Sequence, residues 1–232
     1  MNSGTLIKKL HLSPDDFTAV RNAVRDAEEN TSGEIAAAII GESTDYSFYE
    51  LFASVIFGAA VFALLLPFYD EITALFSSFM WVAPPWFTAA FYGMAGFAGI
   101  GLFFLFANIP VIDRLVIPKK SRSRAVYTRA LRYFVESGVY ATKERTGILI
   151  FISCMEREVI ILADKGISSK IDQSVWNTLS GAIAAGVKSG NTAGALIETI
   201  EACGKTFKEN FPADTTNENE LPDGLVVLES GV

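Results

Sequence analysis

The first forty residues carry two hydrophobic periods in succession. Phe17, Val20, Val24 and Ala27 fall at i, i+3, i+7 and i+10, the spacing of one helix face. Ser13 stands where an N-cap belongs, Pro14 suits the first helical position, and Asp15-Asp16 complement the helix dipole. Thr31-Ser32-Gly33 stops that helix. Ile35 to Ile40 is then a continuous apolar run, the pattern of a strand covered on both faces. One helix and one strand in about 40 residues cannot bury a core alone, so this segment needs a partner elsewhere in the chain.

The pattern then changes scale. From Leu51 to Tyr69 there are 19 consecutive residues without a formal charge, framed by Glu50 and by Asp70-Glu71. At about 1.5 Å per residue this run nearly crosses a hydrocarbon layer of roughly 30 Å. A second uncharged run, Ile72 to Ile112, has 41 residues and is divided by Pro84-Pro85, because tandem prolines do not continue a helix. Its later part, Trp86 to Ile109, has 24 residues and spans with some tilt; its earlier part, Ile72 to Ala83, has 12 and is too short. The earlier part reads as an interfacial or partly buried helix, with Trp81 and Trp86 where amphipathic rings prefer to sit. The expectation is a two-helix transmembrane hairpin over 48–112, with spans at 51–69 and 86–109. No signal peptide is expected, because the first apolar run begins near residue 51 behind a segment that looks folded.

No Asp, Glu, Lys, Arg or His lies within the spans, which argues against a transport route or proton relay. Ser54 and Gly58, like Ala95 and Gly99, are small residues four apart, suited to close backbone approach between the two helices. Arg114, Lys119, Lys120, Arg122, Arg124, Arg129 and Arg132 follow the second span, whereas residues 70–85 carry no Lys or Arg. The positive-inside rule therefore places that loop outside and both flanks in the cytoplasm. The basic segment also suits contact with the anionic headgroups of the lipid bilayer.

After the hairpin the short periods return. Residues 121–137 read as a helix with Val126, Ala130, Tyr133 and Phe134 on one face. Gly147 to Ser153 and Val159 to Ala163 read as strands, joined antiparallel through Cys154-Met155-Glu156-Arg157. A helix near Ser169 to Val187 would bury Ile171, Val175, Leu179, Ala182, Ile183 and Gly186. Another, from Thr192 to Phe207, repeats Leu196, Ile200, Cys203 and Phe207 at helical spacing. Residues 212–232 read as a flexible tail. The fold class that follows is α/β: one domain formed by residues 1–47 and 113–211, its chain detouring through a transmembrane hairpin.

Composition narrows the function. Among 232 residues half are apolar and 19% are charged, and the mean hydropathy of +0.33 exceeds that of an ordinary soluble domain. Lys and Arg number 19 and Asp and Glu 26, a net charge of −7 that disfavours a nucleic-acid partner. Cys154 and Cys203 form neither a disulfide framework nor a zinc set, and a single histidine, His11, excludes a multi-histidine metal centre.

The series Arg145-Thr146-Gly147 through Ser153, Glu156-Arg157, and Ile161-Leu162-Ala163-Asp164-Lys165-Gly166-Ile167 resembles the core of the TPM domain. Ser13 to Ile40, with Ser32-Gly33-Glu34-Ile35, is similar to that family's opening. Phe211-Pro212 and Asn219 to Asp223 are similar to the ending of a bacterial membrane subfamily. The family includes thylakoid lumen phosphatase-like proteins, photosystem repair factors and receptor modulators. The resemblance implies an α/β/α sandwich. It implies acid phosphatase activity as in some plant members, or an assembly, repair or accessory role as in others.

Asp164-Lys165-Gly166 is the most site-like segment. It ends a strand and precedes a helix, where α/β proteins place ligands. Asp164 there suits a nucleophile or cation ligand, and the following helix start, with Lys165 and Gly166, suits an anion such as phosphate. The plainer reading is a turn in which Gly166 takes a positive φ and Asp164 bonds local backbone. Glu34 at a strand start would supply a second carboxylate, or be exposed polar punctuation. Arg145 and Glu156 are expected to pair on the surface, for little energy. There is no GxxxxGK[ST] loop, and Asp214-Thr215-Thr216 follows no strand. The residues name no metal and no cofactor. Two functions follow: a protein-binding accessory in assembly or quality control of a membrane complex, and a membrane-tethered phosphatase using Asp164.

Overall fold

The computed structural model describes residues 3–79, 84, 86–107, 109–213 and 219–229. Trp81, Ala83 and Pro85, and the Asp214-Thr215-Thr216 stretch, lie outside them. In chain order come α1 (Ser3–Lys9), α2 (Pro14–Glu28), β1 (Glu34–Ile40), α3 (Ser47–Leu65) and α4 (Tyr69–Phe79). Next are α5 (Phe87–Ala107), α6 (Pro110–Val116), α7 (Lys119–Glu136), β2 (Gly147–Ser153) and β3 (Glu158–Ala163). The chain ends with α8 (Lys165–Ser168), α9 (Gln173–Ser189), α10 (Thr192–Asn210) and β4 (Leu225–Leu228). These elements form two units, Met1–Thr44 with Lys120–Val232, and Asp45–Lys119.

The first unit is an α/β/α sandwich. Its sheet runs β3-β2-β1-β4, with β1 parallel to β2 and β4 and β3 antiparallel to β2. The two-residue period of a strand sends successive side chains to opposite faces. Ile35, Ala37 and Ile39 of β1 and Ile148, Ile150 and Ile152 of β2 therefore join the layer containing α2, α9 and α10. Ala36, Ala38, Ile40, Leu149 and Phe151 join the opposite layer with Val126, Ala130 and Phe134 of α7. Both central strands are buried throughout, as their unbroken apolar runs require. Ser13 caps α2 through a capping box: its Oγ accepts from the Asp16 N–H, and Asp16 Oδ2 accepts from the Ser13 N–H at 2.7 Å.

Several sequence expectations change. The stretch 212–232, expected as a flexible tail, contains β4, which pairs with β1 from Ala37–Leu225 to Ile40–Leu228. Its Leu-Val-Val-Leu run is too short to announce a strand until an open edge is waiting for it. Helix α9 is rotated from the expected face. Trp176 (2% exposed) and Ile183 are buried, while Val175 and Ala182 face outward, because the large indole rather than Val175 fills the core. Glu156 is not a surface partner of Arg145; it is buried.

The second unit is a helical hairpin. Helix α3 continues through a 3-10 turn, Leu66–Phe68, into α4, so the helical segment Ser47–Phe79 spans 33 residues. The expected separation of a span at 51–69 from a short helix beyond it is thus replaced by continuous helix. Asp70 and Glu71 do not break it; both are exposed on its surface. Both Ser47–Phe79 and Phe87–Ala107 are long and apolar enough to cross a membrane. Ser54 and Gly58 are buried against α5, but there the small row is Gly96 and Gly99, with Ala95 half-buried beside it. A methyl group on Gly58 would lie 2.3 Å from Ile100 Cγ1 and 2.7 Å from the Gly96 carbonyl oxygen. The Tyr92 hydroxyl donates to the Leu65 carbonyl at 2.8 Å, and Phe97, Met94 and Leu105 point outward.

Candidate functional site

The sheet gathers the sequence-level candidates at one end. Glu34, the first residue of β1, lies opposite Gly147, the first of β2, and the Asp164 N–H donates to the Gly147 carbonyl at 2.9 Å. Glu34 and Asp164 therefore flank the start of β2, about 10 Å apart across the sheet at normal interstrand spacing. Asp164 is buried and caps α8: its Oδ1 accepts from the Lys165 N–H at 2.6 Å. Its Oδ2 makes no hydrogen bond and lies 3.6 Å from Arg145 Nη1. Arg145 holds a left-handed φ of 58°, and its carbonyl accepts from the Gly166 N–H at 3.0 Å. A Cβ on Gly166 would stand 2.5 Å from that same oxygen, and one on Gly147 would stand 2.3 Å from the Val139 carbonyl oxygen. Both glycines are thus demanded by close approach, and Gly166 does not have a positive φ. Arg145-Thr146-Gly147 and Asp164-Lys165-Gly166 form one clasp that ties the β3–α8 corner to the entry of β2.

Carboxylates cluster beside the clasp. Glu28 Oε1 accepts from the Ile35 N–H at 2.7 Å. Burial pushes the Glu28 carboxyl up to about 8, against that hydrogen bond and with help from the charges of Glu34 and Asp223. Glu34 accepts backbone N–H groups of Glu220 and Leu221, yet burial together with the charges of Glu220 and Asp223 lifts it to about 7. Among the described residues no group of three or more His, Cys, Asp or Glu side chains is placed to hold a metal ion. These acids pin the segment that delivers β4 to the sheet.

The opposite end of the sheet holds a different arrangement. Glu156, in the β2–β3 turn, accepts from the Ser43 N–H at 2.9 Å and from Ser153 Oγ. The Ser43 and Ser153 hydroxyls lie 2.8 Å apart. Beside this buried network is a cavity of about 530 Å³. Lys9, Arg157 and Lys188 line it together with Leu10, Ile152 and Val159. Cys154 also lines it, and burial raises its thiol to about 12, so it is uncharged and a poor nucleophile at neutral pH.

Against known proteins, the TPM domain model matches residues 112–206. That segment is a TPM domain. The solution structure of the BA42 protein from the psychrophilic bacterium Bizionia argentinensis shares its fold, with a TM-score of 0.54 at 20% identity, over 94% of this chain and 95% of that one. No curated protein matches the chain.

Across the sandwich, the expected site residues separate by role. Asp164 and Gly166 belong to the clasp, and Lys165 is exposed beside it. Glu34 is not surface punctuation, since it is 1% exposed and holds residues 220–221. Sequence reasoning missed Glu28 because nothing local distinguishes a carboxylate that turns inward at the end of an amphipathic helix. It did not bring Lys9, Arg157 and Lys188 together, because they lie far apart in sequence.

Proposed function

We propose that this is a membrane-anchored TPM-domain protein of the bacterial inner membrane. Its α/β domain faces the cytoplasm and binds another protein as an accessory in assembly or quality control of a membrane complex. The anchoring is supported by the two long apolar helices, and a common compartment for their flanks by the seven-residue parallel register of β1 with β2, from Glu34–Gly147 to Ile40–Ser153. These strands lie on either side of the apolar hairpin in sequence, so one sheet holds both flanks in the same compartment if the hairpin crosses a bilayer. The excess of Lys and Arg after the second apolar helix supports the cytoplasm as that compartment. The protein partner is supported by α7, where Tyr127, Leu131 and Val135 are 51%, 45% and 52% exposed. At i, i+4 and i+8 they form an apolar stripe, flanked by exposed Arg124 and Arg132. A partner with an apolar ridge and acidic edges suits it. The same chain binds the lipid bilayer and no nucleic acid.

Reporter fusions after residues 12 and 211 should both report the cytoplasm; opposite compartments would overturn the shared cytoplasmic placement. A photocrosslinking residue at Leu131, in the full chain in native membranes, should trap a discrete protein, and Tyr127→Ser with Val135→Ser should abolish the adduct. Persistence of the same adducts in that variant would remove the binding face.

A second reading, a membrane-tethered acid-phosphatase-like hydrolase, is favoured by one observation: the unbonded Oδ2 of Asp164 beside Arg145. Under that reading the purified protein hydrolyses a generic phosphate ester and Asp164→Asn does not. Under the accessory reading both proteins are inert.

A further inference from the structure

We infer that the cavity at the β2–β3 turn binds a single-chain amphipathic anion, its acyl tail among Leu10, Ile152, Val159 and Val187 and its acidic head among Lys9, Arg157 and Lys188. The volume of about 530 Å³ falls in the range of small-molecule sites. Leu10 and Ile152 are 5% and 2% exposed, whereas all three basic residues are exposed, so the floor is apolar and the rim is charged.

The cations converge from separate elements: Lys9 ends α1, Arg157 lies in the β2–β3 turn, and Lys188 is in the last turn of α9. Arg157 reaches the rim from a left-handed backbone, φ 55°, a conformation uncommon for a non-glycine residue. Glu158 is the one acid among the lining residues, and its Oε2 already accepts from Ser123 Oγ at 2.8 Å. The lining thus carries a surplus of positive charge over an apolar floor. An uncharged hydrocarbon would leave that charge unused, and a small hydrophilic anion would leave the floor unfilled. Carboxylate and phosphate monoester heads share the required chemistry.

The test uses the full chain in phosphatidylcholine nanodiscs, irradiated with palmitate bearing a diazirine near its chain end, and with the matching lysophosphatidate and fatty alcohol. Labelled sites are mapped by mass spectrometry. Palmitate, lysophosphatidate or both should label peptides containing Val159 or Ala184–Val187, and the better labelled of the two identifies the head group. Excess unlabelled ligand should compete. Ala184→Trp, which fills the cavity, and Lys9→Glu combined with Arg157→Glu should each reduce this labelling roughly tenfold, about 1.4 kcal/mol. Circular dichroism would establish that each variant is folded. Labelling confined to residues 47–107, equal labelling by the alcohol, or insensitivity to the folded variants would each overturn the inference. None of these outcomes bears on the partner face of α7.

Discussion

Glu28 and Glu34 couple the fold to pH. Both carboxyls titrate higher in the folded chain, at about 8 and about 7, than their ordinary value of 4.5. Between those limits the folded state retains protons that the unfolded chain has released, so stability falls as pH rises. It is greatest below about 4.5 for these two groups, declines through neutrality and levels off above 8. Thermal unfolding of the nanodisc-held protein at pH 6, 7 and 8 should show a falling midpoint. Glu28→Gln, whose Oε1 still accepts from Ile35, should flatten the upper part of that decline; an unchanged slope would refute the assignment. Gly147→Ala should lower stability by several kcal/mol, because its Cβ meets backbone at 2.3 Å. At this scale the Arg-Thr-Gly and Asp-Lys-Gly signatures could be picked out from sequence, but their meaning could not. Their glycines answer to Val139 and Arg145, contacts that no local pattern displays.

At the scale of elements, periodicity located α2, α7, α9, α10 and the three longer strands, and uncharged length located the two apolar helical segments. It failed where an element depends on a neighbour. Strand β4 has four residues, and its bonds to β1 hold it in place. Replacing 225–228 with Gly-Ser repeats should speed hydrogen exchange of amides in Ala37–Ile40 while sparing β3, measured by mass spectrometry. The face of α9 was displaced because a helix turns its largest apolar side chain inward, and Trp176 outweighs Val175. Gly181, on the exposed side of the same helix, has nothing within 4 Å of a Cβ. Gly181→Ala should therefore raise stability by about 0.5–1 kcal/mol, from helix propensity alone. Gly58→Val should have the opposite effect on the α3–α5 pair, since its side chain would meet the Gly96 carbonyl, and the loss should appear as faster exchange in α5 but not in β2.

For the whole molecule, the decisive feature is a sheet whose adjacent strands are separated by an apolar hairpin. Residues 45–119 form a unit of their own, and the sandwich core contains none of them. Exchanging that hairpin for a flexible linker of about 20 residues, with a typical reach near 25 Å, should yield a water-soluble domain with the same β-sheet signature. Aggregation or loss of cooperative unfolding would show that the hairpin is part of the folding unit.

The amino-acid sequence by itself determined the apolar hairpin, the α/β class, the antiparallel β2–β3 pair and the capped start of α2. Each of these is written in consecutive residues, through periodicity, uncharged length or a cap. Only the tertiary structure decided that Glu34 is buried, that residues 225–228 complete the sheet, and that Lys9, Arg157 and Lys188 share one cavity. Burial and convergence are properties of chain brought together from distant positions, and a linear pattern carries no measure of that distance.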